Sequence, residues 1–194
     1  MPDARRPARL ATACLAHALA AVVLPAASAR AQDVPDVHIT EYGEYVARRE
    51  LGVLAPDPDA GRTAPLVVVE APRFVARTSR IEAGPCRGFG IGFALRGLDP
   101  ARTARVTVRV THPPMVPPDG RVRAESTYPQ RIGREPGFAG YSFDEPWEMV
   151  PGTWTFAVLF GDTVLAERRF EVVVPPGANT PPPGGWSGCT AAVS

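Results

Sequence analysis

FDEPWEMVPGTWTFAVLFGD, Phe143 to Asp162, sets a Pro-Gly step directly ahead of a segment in which every second residue is large and apolar. Pro151 presets φ and Gly152 tolerates a positive φ, a pairing that signals a type II turn at the entrance to a strand. Trp154, Phe156, Val158 and Phe160 then fall on one side of that strand. Gly161-Asp162 turns the chain, and Val164 to Val174 is expected to run back as the last strand. The two make a terminal hairpin whose aromatic face fills the space between two sheets, at about 1.5–3 kcal/mol for each fully buried Phe-sized side chain. Trp154 is therefore expected to be a core anchor and not a platform for a ligand.

The same period of two recurs upstream. Arg105 to Thr111, RVTVRVT, puts Val106, Val108 and Val110 on one face and Arg105, Thr107, Arg109 and Thr111 on the other. Phe170, Val172 and Val174 alternate in the same way, and Leu66 to Val69 and Phe74 to Thr78 are further expected strands. In Gly88 to Leu95 the residues Phe89, Ile91, Phe93 and Leu95 form one face, while Gly88, Gly90, Gly92 and Ala94 form a flat one that lets another group approach closely. After the N-terminal segment, no helix-sized window repeats its apolar residues at three and four. Strands joined by Pro- and Gly-rich turns imply an antiparallel sandwich or barrel. Residues 47 to 63 are expected to be irregular, with turns at Asp57-Pro58-Asp59 and Gly61.

The N-terminus has the grammar of a secretory signal peptide over residues 1–31: Arg5, Arg6 and Arg9, an apolar run from Leu10 to Leu24, and Ala29-Arg30-Ala31 ahead of Gln32. The apolar run is too short to span a membrane comfortably, and Cys14 leaves with the leader. Cleavage takes four Arg and one Asp from 21 basic and 20 acidic residues, so the 163 remaining residues carry 17 and 19 and a formal charge of −2. A chain of that sign argues against a nucleic-acid partner, and its length is enough for one core. All 21 basic residues are Arg. Without a lysine amine, Schiff-base chemistry, pyridoxal phosphate attachment and P-loop chemistry are excluded.

Two cysteines remain after cleavage, Cys86 and Cys189, and in an oxidising compartment an even pair reads first as a disulfide. A loop of about 100 residues closed in this way is worth about 4–5 kcal/mol in the chain-entropy model. Two free thiols, or a link between chains through the tail, are the alternatives. The tail itself, residues 176–194, is Pro- and Gly-rich and is expected to be extended, with Trp186 and Cys189 as its exceptions.

Tyr141-Ser142-Phe143-Asp144, then W-E-x-V-P-G-x-W-T-F from Trp147 to Phe156, then Leu165-Ala166-Glu167 and Phe170-Glu171-Val172 resemble the end of an uncharacterised family of exported bacterial proteins. Glu41-Tyr42-Gly43-x-Tyr45, Gly88-Phe89-Gly90-Ile91 and the His112-Pro113 corner are similar to its earlier landmarks, so the likeness covers residues 38–174. The resemblance implies a secreted immunoglobulin-like sandwich. It brings no catalytic residues, and the cysteine pair and the tail rest on this sequence alone.

Several sharper motifs have plainer readings beside them. GFGIG at Gly88 to Gly92 is superficially like a dinucleotide loop, yet such a loop must open a helix, and here it continues as a strand. His112 and Met115 are residue types that suit copper, but the only other histidine left after cleavage is His38; a Pro-rich loop with Met115 packed beneath it is the simpler reading. Neither Ser142 in GYSFD nor Ser187 in GWSG sits in a nucleophile elbow. Asp144, Glu145 and Glu148 could act as acid and base on a glycan, or simply be a charged rim. Tyr128, Tyr141, Trp147 and Glu148 are the candidate binding residues, at one end of the sandwich, unless their rings plug the core.

The sequence thus predicts an all-β, antiparallel, immunoglobulin-like sandwich over residues 36–175, periplasmic or secreted, without cofactor or metal and without a transmembrane segment once the signal is cleaved. The expected role is non-enzymatic binding through contacts with an envelope protein. An envelope glycan-binding domain is the first alternative, and a carboxylate-dependent hydrolase the second.

Overall fold

The computed structural model describes residues 34–180, apart from 47–48, 64, 71, 97–102 and 179. The expected signal peptide, Cys14, Trp186, Ser187 and Cys189 lie outside the described residues. Within them the chain forms β1 (Asp36–Val46), β2 (Arg49–Leu54), β3 (Leu66–Glu70), β4 (Arg73–Ala76), β5 (Arg80–Glu82), β6 (Gly88–Arg96), β7 (Ala104–Met115), β8 (Arg123–Ile132), β9 (Gly137–Ser142), β10 (Gly152–Phe160) and β11 (Thr163–Val173). A short 310 turn, Pro146–Glu148, precedes β10. Among the described residues no helix is long and apolar enough to cross a membrane.

The strands make a four-stranded sheet in the order β4-β1-β6-β9 and a five-stranded sheet in the order β5-β11-β10-β7-β8, with β2 and β3 as a separate pair. The pairings are antiparallel as expected, except that β5 runs parallel to β11, with Ile81 opposite Val172. The chain reaches β5 by crossing from one sheet to the other between Ala76 and Arg80, so it arrives at the edge of β11 from the same end. That crossover also carries Arg77 and Ser79 across the open side of the sandwich.

The terminal hairpin forms largely as its alternation predicts. Gly152 has φ +125, as the Pro-Gly step requires, and Trp154 lies opposite Phe170. Trp154, Phe156 and Val158 are fully buried, but Phe160 is only partly so, a departure from the simple alternation. The register with β11 shifts between Val158 and Leu159, where Leu165 of β11 is the extra residue, and Leu159 is buried although it lies on the face opposite Val158. The last strand covers Thr163–Val173. Residues 49–54 are likewise not irregular; they pair with β3, across a second shift at Glu50/Gly52 that hides the alternation. The expected turn at Asp57 to Gly61 is present, closed by Ala60 N–H donating to the Asp57 carbonyl at 3.1 Å.

Phe89 on β6 is the centre of the core. Its ring lies 5.5 Å from Trp154, 5.5 Å from Phe156 and 5.3 Å from Phe170, all edge-on and all from the opposite sheet, and 5.5 Å from Phe143. Edge-to-face pairs of this kind add about 0.5–1.5 kcal/mol each to the burial itself. The glycine face of β6 is turned outward, as the alternation predicts. There the Tyr45 ring lies so close over Gly88 and Gly140 that an added Cβ would fall 2.7 and 2.8 Å from it. Phe138 meets Tyr45 edge-on at 4.8 Å, and the Tyr45 hydroxyl reaches Ser142 Oγ at 3.1 Å. The small residues therefore serve to seat an aromatic layer on the outside of this sheet.

Candidate functional site

One end of the sandwich gathers the side chains with the most unusual chemistry. Near its end β7 passes through Pro113-Pro114, which cannot donate ladder hydrogen bonds, and the pairing to β8 jumps from Thr111–Glu125 to Met115–Arg123. His112 continues the inward face of Val106, Val108 and Val110 and is buried, and the jump after it turns Met115 inward in place of Pro114. Its Nδ1–H donates to the Pro113 carbonyl at 2.8 Å, and its ring lies 4.7 Å from Trp154. Burial holds the His112 pKa below the ordinary histidine value.

Opposite it, β9 delivers Tyr141, whose ring packs 4.8 Å from Trp154. The tyrosine hydroxyl donates to Glu148 Oε1 at 3.0 Å and lies 3.8 Å from Met115 Sδ. Glu148 Oε2 accepts the backbone N–H groups of Asp144 at 2.7 Å and Glu145 at 2.9 Å. Glu148 thus reaches back over the 310 turn, as the acidic residue of a capping box does. Burial is the largest influence on this carboxyl and pushes its pKa up to about 7, against the three donors, which favour the ionised form. Burial, followed by the neighbouring Glu148, also pushes the Tyr141 hydroxyl well above the ordinary tyrosine value.

Of the residues singled out by sequence, Tyr141 and Glu148 are therefore in direct contact, and Trp147 sits on the same 310 turn, packed in part against the core. Tyr128 is apart from them. It lies on β8, only 9% exposed, as a member of the core. His112 and Met115 do not sit in an open loop; both are buried at the end of β7. His38 stands on β1 in the other sheet, opposite Ala94, so the two histidines do not converge. Among the described residues no group of three or more His, Cys, Asp or Glu side chains is placed to share a metal ion. Of the three carboxylates, Glu148 turns inward to the Tyr141 hydroxyl and two amides, Asp144 is half-buried and Glu145 is exposed. Cys86 occupies the turn between β5 and β6, with its N–H donated to the Phe143 carbonyl at 3.0 Å, while Cys189 lies outside the described residues.

A family model for a domain of unknown function, DUF3859, matches residues 35–172. The chain belongs to this family. The matched span runs from the residue before β1 to within one residue of the end of β11 and so takes in both large sheets and the Trp147 to Phe156 stretch. The DUF3859 domain is similar to a solved immunoglobulin-like protein from Pseudomonas aeruginosa, at 25% identity and a TM-score of 0.50, over 71% of this chain and 96% of that one. No curated protein matches the chain.

The Glu148 arrangement in the DUF3859 domain gives a signed expectation. A carboxyl whose folded pKa is raised binds its proton more tightly when folded, so stability falls as pH rises from about 4.5 through about 7. His112 acts in the opposite sense, since its lowered pKa makes acid destabilising. Glu148→Gln removes only the first effect. The difference in melting temperature between the natural protein and Glu148→Gln, measured from pH 4.5 to 8, should move in favour of the variant as pH rises; a difference that stays constant refutes the buried-carboxyl account.

Proposed function

We propose that this DUF3859 domain is an exported, non-enzymatic binding module of the bacterial envelope that acts through protein–protein contacts. The observation that carries the reading is the β2–β3 hairpin. Its strands pair with neither large sheet, yet it presents Leu51 at 56%, Val53 at 61%, Leu54 at 45% and Val67 at 37% exposure. Apolar side chains grouped on one exposed element suit a protein partner better than a glycan, which is recognised through polar groups and flat aromatic rings. The groups suited to acid–base chemistry, Tyr141 and Glu148, are engaged with each other and with the backbone, which also favours binding over hydrolysis.

Export is supported by the leader grammar of residues 1–31, and would show as a mature N-terminus at Gln32 in the periplasmic fraction. The turn that holds Cys86 supports a disulfide with Cys189. In Gly84-Pro85-Cys86-Arg87 the Arg87 N–H donates to the Gly84 carbonyl at 3.2 Å, and Cys86 takes φ +60. That position of a type II turn is one where glycine or asparagine is favoured. A cysteine kept there at the cost of backbone strain is explained by a need for its sulfur.

A photo-crosslinking residue at position 53, with the same residue at exposed position 164 as control, tests the binding reading in the cell that makes the protein. The expected result is one protein joined through position 53 in near-equal amount and absent from the control. Adducts with glycan alone would move the glycan-binding alternative ahead, and equal adducts from both positions, or none, would overturn the hairpin as a contact surface.

A further inference from the structure

On the side of the sandwich away from Glu148, where β1 faces β11, two guanidinium groups share one aromatic ring. Tyr42 on β1 lies opposite Ile91 and so turns toward the other sheet, while Arg168 on β11 lies opposite Phe156 and turns to meet it. The Arg168 guanidinium carbon is 3.5 Å from the Tyr42 ring centroid, and that of Arg77 is 4.7 Å away. Arg77 comes from the 77–79 crossover, which also supplies Ser79, whose Oγ accepts a hydrogen bond from Arg168 Nη2. Arg168 Nε is buried and has no hydrogen-bond partner.

A ring quadrupole attracts each cation, but it does not neutralise two of them, and among the described residues neither Arg77 nor Arg168 has a carboxylate within ion-pair distance. Glu167, beside Arg168 in the chain, pairs with Arg169 at 3.0 Å, and Glu44 on β1 pairs with Arg87 at 3.3 Å. Bringing two like charges to one partly enclosed place is unfavourable unless an anion joins them. Planar guanidinium forks match the paired oxygens of phosphate or carboxylate, and the Ser79 and Tyr42 hydroxyls add two further polar contacts at the same place.

We propose that Arg77, Arg168, Ser79 and Tyr42 form a binding site for an oxyanion, a phosphate-type group that is either free or carried as a monoester. The site is separate from the β2–β3 hairpin and does not depend on it. The Tyr42 hydroxyl also reports on occupancy. The Arg77 guanidinium beside the ring is the largest of the influences that hold its pKa below the ordinary tyrosine value, whereas Tyr128 and Tyr141 are pushed up by burial. An anion that engages the arginines withdraws that support and moves the first tyrosinate step to higher pH.

The test compares inorganic phosphate, glycerol 3-phosphate and sodium chloride at equal ionic strength, reading the melting temperature and the alkaline absorbance titration of tyrosinate. Phosphate or the monoester should raise the melting temperature above the chloride control and shift the first tyrosinate step upward. A response to both marks a site for the free ion, and a response to the monoester alone marks an esterified ligand; either supports the proposal. Arg77→Gln, on an exposed crossover residue, should weaken the response by at least about tenfold in affinity. Arg168→Gln, whose side chain is partly buried, is read only against its own melt without ligand. If neither anion exceeds chloride, or if Arg77→Gln responds as the natural protein does, the proposal fails.

Discussion

Trp154→Ala is expected to lower stability by about 3–5 kcal/mol, the range for deleting a large buried aromatic side chain. The indole is fully buried, and its rim touches four rings at once: His112 at 4.7 Å, Tyr141 at 4.8 Å, Phe89 at 5.5 Å and Phe143 at 5.9 Å. Its Nε1–H also donates to the Val150 carbonyl at 3.2 Å, which ties the end of the 310 turn to the strand that follows. These neighbours come from β6, β7, β9 and the turn before β10, so no single element can move in to fill the space left behind. For a domain of this size the loss corresponds to a fall of about 6–20 °C in melting temperature. Urea unfolding with an unchanged slope would assign it to the folded core. A cost below about 1 kcal/mol would mean that Trp154 is not the anchor its placement implies, since surface changes fall in that range.

Gly43→Ala should have a comparable effect for a different reason. Gly43 has φ +129, and a Cβ there would lie 1.9 Å from the Ala76 carbonyl oxygen and 2.9 Å from the Thr78 N. Both obstacles are backbone, so no rotamer change relieves them. Torsional strain of about 1–3 kcal/mol adds to a steric penalty of about 1–3 kcal/mol, or the chain relieves both by detaching β4. Gly52→Ala separates the two contributions, because Gly52 has φ +150 but open space around it. The position-52 variant should lose only the torsional part. The position-43 variant should lose more and should show faster amide exchange at Arg73–Ala76. Equal costs at the two positions would contradict the close approach of β1 and β4.

Where the chain alternates without interruption, the fold is legible in the order of its residues. Val106, Val108 and Val110, and Trp154, Phe156 and Val158, are all buried on the faces their spacing assigns. Each place where a strand breaks its own period is illegible in the same terms. The extra residue Leu165 interrupts β11 opposite Val158/Leu159, the shift at Glu50/Gly52 conceals β2, and the jump after Thr111 hides that β7 continues through two prolines. β5 is three residues long, and its partner is about ninety residues away in the chain, so no local pattern announces it.

The candidate site divides along the same line. Tyr141 and Glu148 lie seven residues apart, on either side of one turn, and both stand out in the sequence. Tyr42, Arg77 and Arg168 come from three distant segments and meet only because the two sheets pack face to face. Each reads singly as an ordinary strand or loop residue. The outward glycines of β6 mark a surface for close approach, but the Tyr45 ring that fills it comes from another strand, and nothing in the spacing names it.

The pairing of β5 with β11 has a kinetic consequence. β5 enters the five-stranded sheet only through β11, the last strand among the described residues. Until Glu171 and Val172 have been synthesised, Arg80 and Ile81 have no register to adopt, and the first half of the chain cannot close its layer on that side. Topologies dominated by such distant pairings fold in milliseconds to seconds, and not in microseconds. A nascent chain of this design therefore stays open on that side until β11 has emerged, however early β5 is made.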